Sequence, residues 1–191
     1  MLKSILLEQE YKPTGAKIFL ATIQEYSHIQ HLIKLAQDSR LIDLLGWNTF
    51  FEIHEIEKFI AAISSHALPY CRDSEPLVFG IYLTLDDFPI GYVVLKGMNV
   101  DLLAAEVGVV ILDSRYRNKG YGRLGLQRIV NYAFNELQLK TIGSSILLSN
   151  KTSINMCKKT GFIIKETMYK SWTMPNGDLA DMVLMELSKV T

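Results

Sequence analysis

The apolar run Glu106-Val107-Gly108-Val109-Val110-Ile111-Leu112 ends in a charged, glycine-containing turn, and a helical pattern follows at once. Almost every residue of the run is a β-former, so it reads as a strand covered on both faces. From Tyr121 to Leu137 the apolar residues Leu126, Ile129, Val130, Ala133, Phe134 and Leu137 share one helical stripe, with Asn131, Asn135 and Glu136 opposite. A strand that feeds a glycine turn and then a helix creates an anion site. The first helical N–H groups lack partners, and the helix dipole adds positive charge. Gly120 and Gly122 let the backbone approach a bulky phosphate, and Arg115, Arg117, Lys119 and Arg123 add charge at the same place. A pyrophosphate is the ligand this arrangement favours.

Around that unit the other elements follow from periodicity and turn chemistry. Residues 1–15 read as an irregular lead-in ending at Pro13-Thr14-Gly15, and Lys17–Thr22 as a short strand. Ser27 is placed to cap a helix carrying Ile29, Leu32, Ile33, Leu35 and Ala36. Residues 39–51 form an apolar, aromatic connector, and Glu52–Ser65 a second amphipathic helix. Leu77–Leu85 and Ile90–Lys96 make a hairpin about the turn Asp86–Pro89. Thr141–Leu148 is a strand, and Ser153–Lys159 a short helix stopped by Gly161. Phe162–Met174 and Leu179–Leu187 are strands joined through Asn176-Gly177, a strong hairpin signal. This order predicts an α+β fold with a mixed sheet and helices on both faces.

Bulk properties narrow the class. The chain has 191 residues, with 20 basic and 20 acidic side chains, so a dedicated nucleic-acid binder is disfavoured. Cys71 and Cys157 are too few and too far apart for a disulfide scaffold or a zinc site. No signal peptide or transmembrane segment is read from the N-terminal residues, so a cytoplasmic protein without a membrane partner or metal is expected. The four histidines, His28, His31, His54 and His66, lack metal-ligand spacing and take surface or packing roles by default.

The turn lacks the phosphate-loop pattern Gly-x-x-x-x-Gly-Lys-Ser/Thr. Gly120, Gly122 and Gly125 do match a dinucleotide fingerprint, but the acidic residue expected about twenty positions on is missing from Leu139–Ser145. The segment Arg117-Asn118-Lys119-Gly120-Tyr121-Gly122 instead resembles the Gln/Arg-x-x-Gly-x-Gly/Ala signature of GNAT N-acetyltransferases. Further matches follow in order: Ala105-Glu106-Val107-Gly108, then Asn150-Lys151-Thr152-Ser153-Ile154, then Lys159-Thr160-Gly161-Phe162. The closing Asn176-Gly177-Asp178 and Asp181–Leu187 are similar to the Rim-type branch, which acetylates N-termini of ribosomal proteins. The resemblance covers residues 76–188 of one domain spanning 1–191.

That resemblance implies a three-layer αβα domain with a mixed, largely antiparallel sheet, using acetyl-CoA as co-substrate. The acceptor amine attacks the thioester directly while both substrates are bound. Backbone groups of Val109, Val110 and Ile111 are expected to hold the pantetheine arm and polarise the acetyl carbonyl. Residues Arg117 to Gly122, Tyr121 included, are expected to hold the pyrophosphate. Asn150 is expected at the pantetheine arm or an ordered water, or else only as a helix cap. Glu106 is the candidate base, acting through water, against a plain salt-bridge role. Where the family commonly has an acidic tyrosine this chain has Cys157, so Cys157, Ser153, water or no acid at all remain open.

The resemblance points first to a protein or peptide N-terminus as acceptor. A polyamine, an aminoglycoside or an amino-acid metabolite is the alternative, and a non-catalytic acyl-CoA-binding module is a further one. Acceptor specificity is expected in residues 39–60 and 168–182. A homodimer is common in the fold, though no residue here demands one.

Overall fold

The computed structural model describes residues 6–10, 17–23, 25–46, 55–65, 67–84 and 86–190. One eight-stranded sheet runs through it. Its strands are β1 (Leu6–Glu10), β2 (Lys17–Thr22), β3 (Leu77–Leu83), β4 (Gly91–Asn99), β5 (Ala104–Ile111), β6 (Thr141–Leu147), β7 (Ile163–Thr173) and β8 (Leu179–Ser188). In space they lie in the order β1-β2-β3-β4-β5-β6-β8-β7. Every neighbouring pair is antiparallel except β5 and β6. The expected α+β architecture with a mixed, largely antiparallel sheet is the one observed.

Helices α1 (Tyr26–Ala36), α2 (Arg40–Leu45) and α3 (Ile56–Ser64) cover one face. There Leu32, Ile33, Ala36, Phe59 and Ile63 pack on Tyr92, Val94 and Leu112. Helices α4 (Tyr121–Asn135) and α5 (Lys151–Lys159) cover the other face. Leu126, Ile129, Val130 and Ala133 of α4, with Ile154 and Cys157 of α5, join Phe79, Ile81, Val93, Val107 and Ile146 in the larger core. Fully burying one such side chain stabilises the fold by about 1.5–3 kcal/mol, so α4 is the chief anchor of the sheet.

Several expectations need correction. The lead-in contains a strand, because the backbone of Leu6–Glu10 pairs with β2 at the sheet edge. The apolar connector holds the short helix α2, and the second amphipathic helix starts later, at Ile56. Helix α1 begins at Tyr26 with Glu25 as its cap residue, so Ser27 lies inside the first turn and its hydroxyl donates to Glu25 instead. Strand β5 is buried only in its first half, since its second half borders a cleft. The Pro13–Gly15 turn, the aromatic cluster Trp47, Phe50 and Phe51, and His54 and His66 lie outside the described residues. His28 and His31 pack on the rings of Tyr82 and Phe88. Both cysteines are free and buried.

Candidate active site

The site begins where the sheet opens. β5 and β6 pair only over Ala104–Glu106 and Thr141–Gly143, and then diverge. On their outer edges β5 stays bonded to β4 up to Ile111, and β6 stays bonded to β8 up to Leu147. The gap is therefore held open by continuous ladders on both sides. It leaves facing backbone edges without a sheet partner, and buried peptide groups of that kind require another partner. The edge of β5 beyond Glu106 is thus suited to an extended, amide-bearing ligand.

The outer mouth of this cleft is a pocket of about 730 Å³. Val109, Val110, Ile111, Arg117, Asn118, Lys119, Gly120, Gly122 and Asn150 all line it. Tyr121 does not; its ring packs edge-on against Tyr116, with centroids 6.0 Å apart. Gly120 is the residue before α4 and takes a left-handed φ of 88°, which a side chain would strain. A Cβ on Gly122 would stand 3.2 Å from Met156 Sδ and 3.7 Å from Ile111 Cγ1, filling the space between α4, α5 and β5.

The charges divide differently from the expectation. Arg117 donates to the carbonyls of Ile111 at 3.0 Å and Leu112 at 2.6 Å, and pairs with Asp38 at 3.0 Å. It is spent on bracing the loop. Asp38 also accepts from Arg40, and that hydrogen bond heads the causes that lower its carboxyl pKa to about 2. Arg115 is paired with Asp113 at 2.7 Å and lies outside the mouth. Lys119, Arg123 and Lys159 are the cationic residues that line the mouth beside Arg117. Asn150 accepts from the Ser153 N–H at 3.1 Å as the cap of α5, and donates to the Leu44 carbonyl at 2.8 Å. It therefore joins α5 to α2 at the rim.

The inner end is a second pocket of about 280 Å³. Glu106, 3% exposed, sits on its floor. Its Oε2 accepts from the N–H groups of Ala67 at 2.8 Å and Leu68 at 3.3 Å, while Oε1 lies 3.7 Å from Lys96 Nζ. The Lys96 ammonium also donates to the Ser65 carbonyl, and burial lowers its pKa. The remaining walls are largely apolar. They include Leu44, Leu45 and Trp172, whose indole N–H donates to the Gly46 carbonyl at 2.6 Å.

An anion-binding helix start, an unpaired strand edge and a buried carboxylate thus lie along one continuous cleft. The sequence matches the family described as Acetyltransferase (GNAT) domain over residues 17–163. The chain belongs to the GNAT acetyltransferase family. It is an acetyl-CoA-dependent N-acetyltransferase. No curated protein matches the sequence. Among solved structures it resembles a spermidine N-acetyltransferase from Vibrio cholerae in complex with CoA and spermine, at 19% identity and a TM-score of 0.71, covering 90% of this chain and 95% of that one. A chimera of that enzyme with hSSAT gives 19% identity and a TM-score of 0.70 over the same shares. The Vibrio cholerae enzyme in complex with manganese ions gives 18% and 0.66, covering 90% and 92%.

At this level of identity the structural likeness establishes the fold. These comparisons lend no support to the Rim-type branch suggested by the closing hairpin. The physical reason is visible in the hairpin itself. Asn176, Gly177 and Asp178 are exposed, line neither pocket and form the turn between β7 and β8.

In this GNAT enzyme Cys157 lines the inner pocket but is 2% exposed, and burial pushes its thiol up to about 12. Such a thiol keeps its proton at neutral pH and releases it poorly. Lys96, Tyr92, Ser145 and Lys159 also line the cleft without having been marked as site residues by the sequence, and Trp172, within the 168–182 stretch expected to bear on the acceptor, lines it too. Lys159 carried a signal within the Lys-x-Gly-Phe match, and Lys96 carried one as a charge closing an apolar strand. Tyr92 and Ser145 carried none, because their position depends on the opening between β5 and β6. Among the described residues no helix is long and apolar enough to cross a membrane.

Proposed function

We propose that this enzyme transfers the acetyl group of acetyl-CoA to the primary amine of a small molecule, by direct attack within a ternary complex. The observation that carries this reading is the opening between β5 and β6, with a helix start at one end and a buried carboxylate at the other. The residues present suit acetyl-CoA. Lys119, Arg123, Lys159 and the first N–H groups of α4 would hold the pyrophosphate, and the free edge at Val109–Ile111 would hold the pantetheine amides. The co-substrate supplies an activated acyl thioester.

The amine nitrogen forms the new C–N bond as the C–S bond breaks. One amine proton passes to Glu106, through Oε1, the oxygen not taken by backbone N–H groups. Lys96 stabilises the carboxylate before that transfer. The departing thiolate is reprotonated by the proton released from the amine, relayed from Glu106 through solvent, and the buried Cys157 thiol is given no part in that transfer. A small-molecule acceptor is supported over a protein N-terminus by the spermidine and spermine enzymes among the structural relatives. The small, largely apolar inner pocket also supports it.

The test is thermal stabilisation of the purified chain by acetyl-CoA, with ATP and NAD as controls, followed by an amine screen. A ligand at a hundred times its dissociation constant stabilises the fold by about 2.7 kcal/mol. Stabilisation by acetyl-CoA alone, with transfer to a small amine, is the expected result. Stabilisation only by a nucleotide would overturn the assignment of the cleft.

A further inference from the structure

Two hydroxyls that line the inner pocket are buried without a hydrogen-bonding partner among the described residues: Tyr92 Oη on β4 and Ser145 Oγ on β6. Tyr92 is 1% exposed, and its ring meets Phe59 edge-on with centroids 6.0 Å apart. In the β4–β5 ladder Tyr92 stands opposite Val110, on the strand segment assigned to the thioester. Ser145 comes two positions after Gly143, the last residue of β6 that pairs with β5. Gly143 is aligned with Glu106, and Glu106 with Lys96, so side chains at 145, 110 and 92 share the Glu106 face of the sheet. The two hydroxyls therefore belong to the same pocket, on the same face of the sheet.

A buried hydroxyl without a partner is destabilising, and such groups persist where a ligand completes them. The rest of the pocket limits what that ligand is. Its body would lie among Leu44, Ile63, Val94, Val110, Trp172 and Met182. Among the described lining residues only Lys96 and Glu106 are charged, and they face each other at 3.7 Å. Among the described residues no further carboxylate lines this pocket to receive a second ammonium group. Burying one unpaired would be costly.

We infer that the acceptor is a monoamine carried on an apolar body, and that the Tyr92 and Ser145 hydroxyls hold its nitrogen beside the thioester. This rests on the acetyl-transfer reading above and specifies its substrate. Tyr92 accepts from, or donates to, the neutral amine while remaining a phenol, since burial holds its proton firmly. Neither hydroxyl bonds to another described residue, so each can be removed without breaking a hydrogen bond seen within the chain.

The experiment measures steady-state transfer from acetyl-CoA to phenethylamine, isopentylamine, spermidine and a tetrapeptide with a free N-terminus. It then repeats the measurement with Tyr92→Phe and Ser145→Ala. The expected result is kcat/KM at least about tenfold higher for the apolar monoamines than for spermidine or the peptide. Each variant should raise the monoamine KM by about tenfold, the effect of one lost hydrogen bond to a charged or polar group. KM for acetyl-CoA should stay put, and the apo Tm should be unchanged or higher. Preference for spermidine or the peptide would overturn the inference. So would Tyr92→Phe lowering the apo Tm while leaving the amine KM intact. Stabilisation by acetyl-CoA, measured on the same samples, separates this failure from failure of the acetyl-transfer reading.

Discussion

The outer mouth and the inner end of the cleft share a wall, since Val109 and Val110 border both, yet their electrostatics are opposite. At the mouth, among the described residues, Lys119 and Lys159 line the pocket with no carboxylate lining it beside them, and the N-terminus of α4 adds to the positive field. At the inner end the two charges present cancel one another, and two hydroxyls are left without partners. The difference teaches what each end must do. An anion that stays partly hydrated is held by an open, unbalanced field. A reacting amine needs a dry site in which charges are matched and positions are set by a few hydrogen bonds.

Four sites test this contrast by substitution. The largest effect is expected at the inner end, from Glu106→Gln. It leaves Lys96 without its counter-charge and should destabilise the fold by about 3 kcal/mol, read by chemical denaturation. Adding Lys96→Met should restore much of that stability without restoring activity. The double variant should remain about a hundredfold below the native kcat, as expected for a missing proton acceptor. Recovery of both stability and rate would assign Glu106 to structure alone.

At the mouth, Gly122→Val should weaken acetyl-CoA binding by about a hundredfold in calorimetry, because the new side chain occupies the gap facing Met156 and Ile111. Binding that survives intact would move the cofactor elsewhere. Lys119→Glu should raise KM for acetyl-CoA by about tenfold at low salt, and the difference should shrink as salt screens the mouth. Inner-end variants should show no such salt dependence. The smallest effect is expected from Cys157→Ala, whose kcat should stay within about twofold of native at a stability cost of about 1 kcal/mol. A large fall in kcat would restore the thiol as the acid.

Much of the fold was legible in periodicity. Lys17–Thr22, the α4 stripe, the hairpin turn at Gly177 and the stop at Gly161 each have a local cause, and each is found where expected. The misses share a different cause. Leu6–Glu10 is a strand because β2 offers it an edge, and nothing in its own sequence alternates. Arg117 lines the mouth, and the partners of its guanidinium are set by the fold rather than by its neighbours in sequence. The loop turns its guanidinium back onto two carbonyls and Asp38.

What the sequence by itself determined is the set of local conformations and the order of elements. Turn glycines, caps and apolar stripes act within a few residues of themselves, so strand β5, the anion-binding turn and helix α4 could be placed from their own residues. Only the tertiary structure decided which side chains meet at the reaction centre. The separation of β5 from β6, held by β4 on one side and β8 on the other, creates the cleft from backbone edges that no motif marks. Glu106 gains its partners from residues 67, 68 and 96, and Tyr92 and Ser145, more than fifty residues apart in the chain, line one pocket. Contacts over that range depend on the register of a whole sheet, and register is a property of all its strands together.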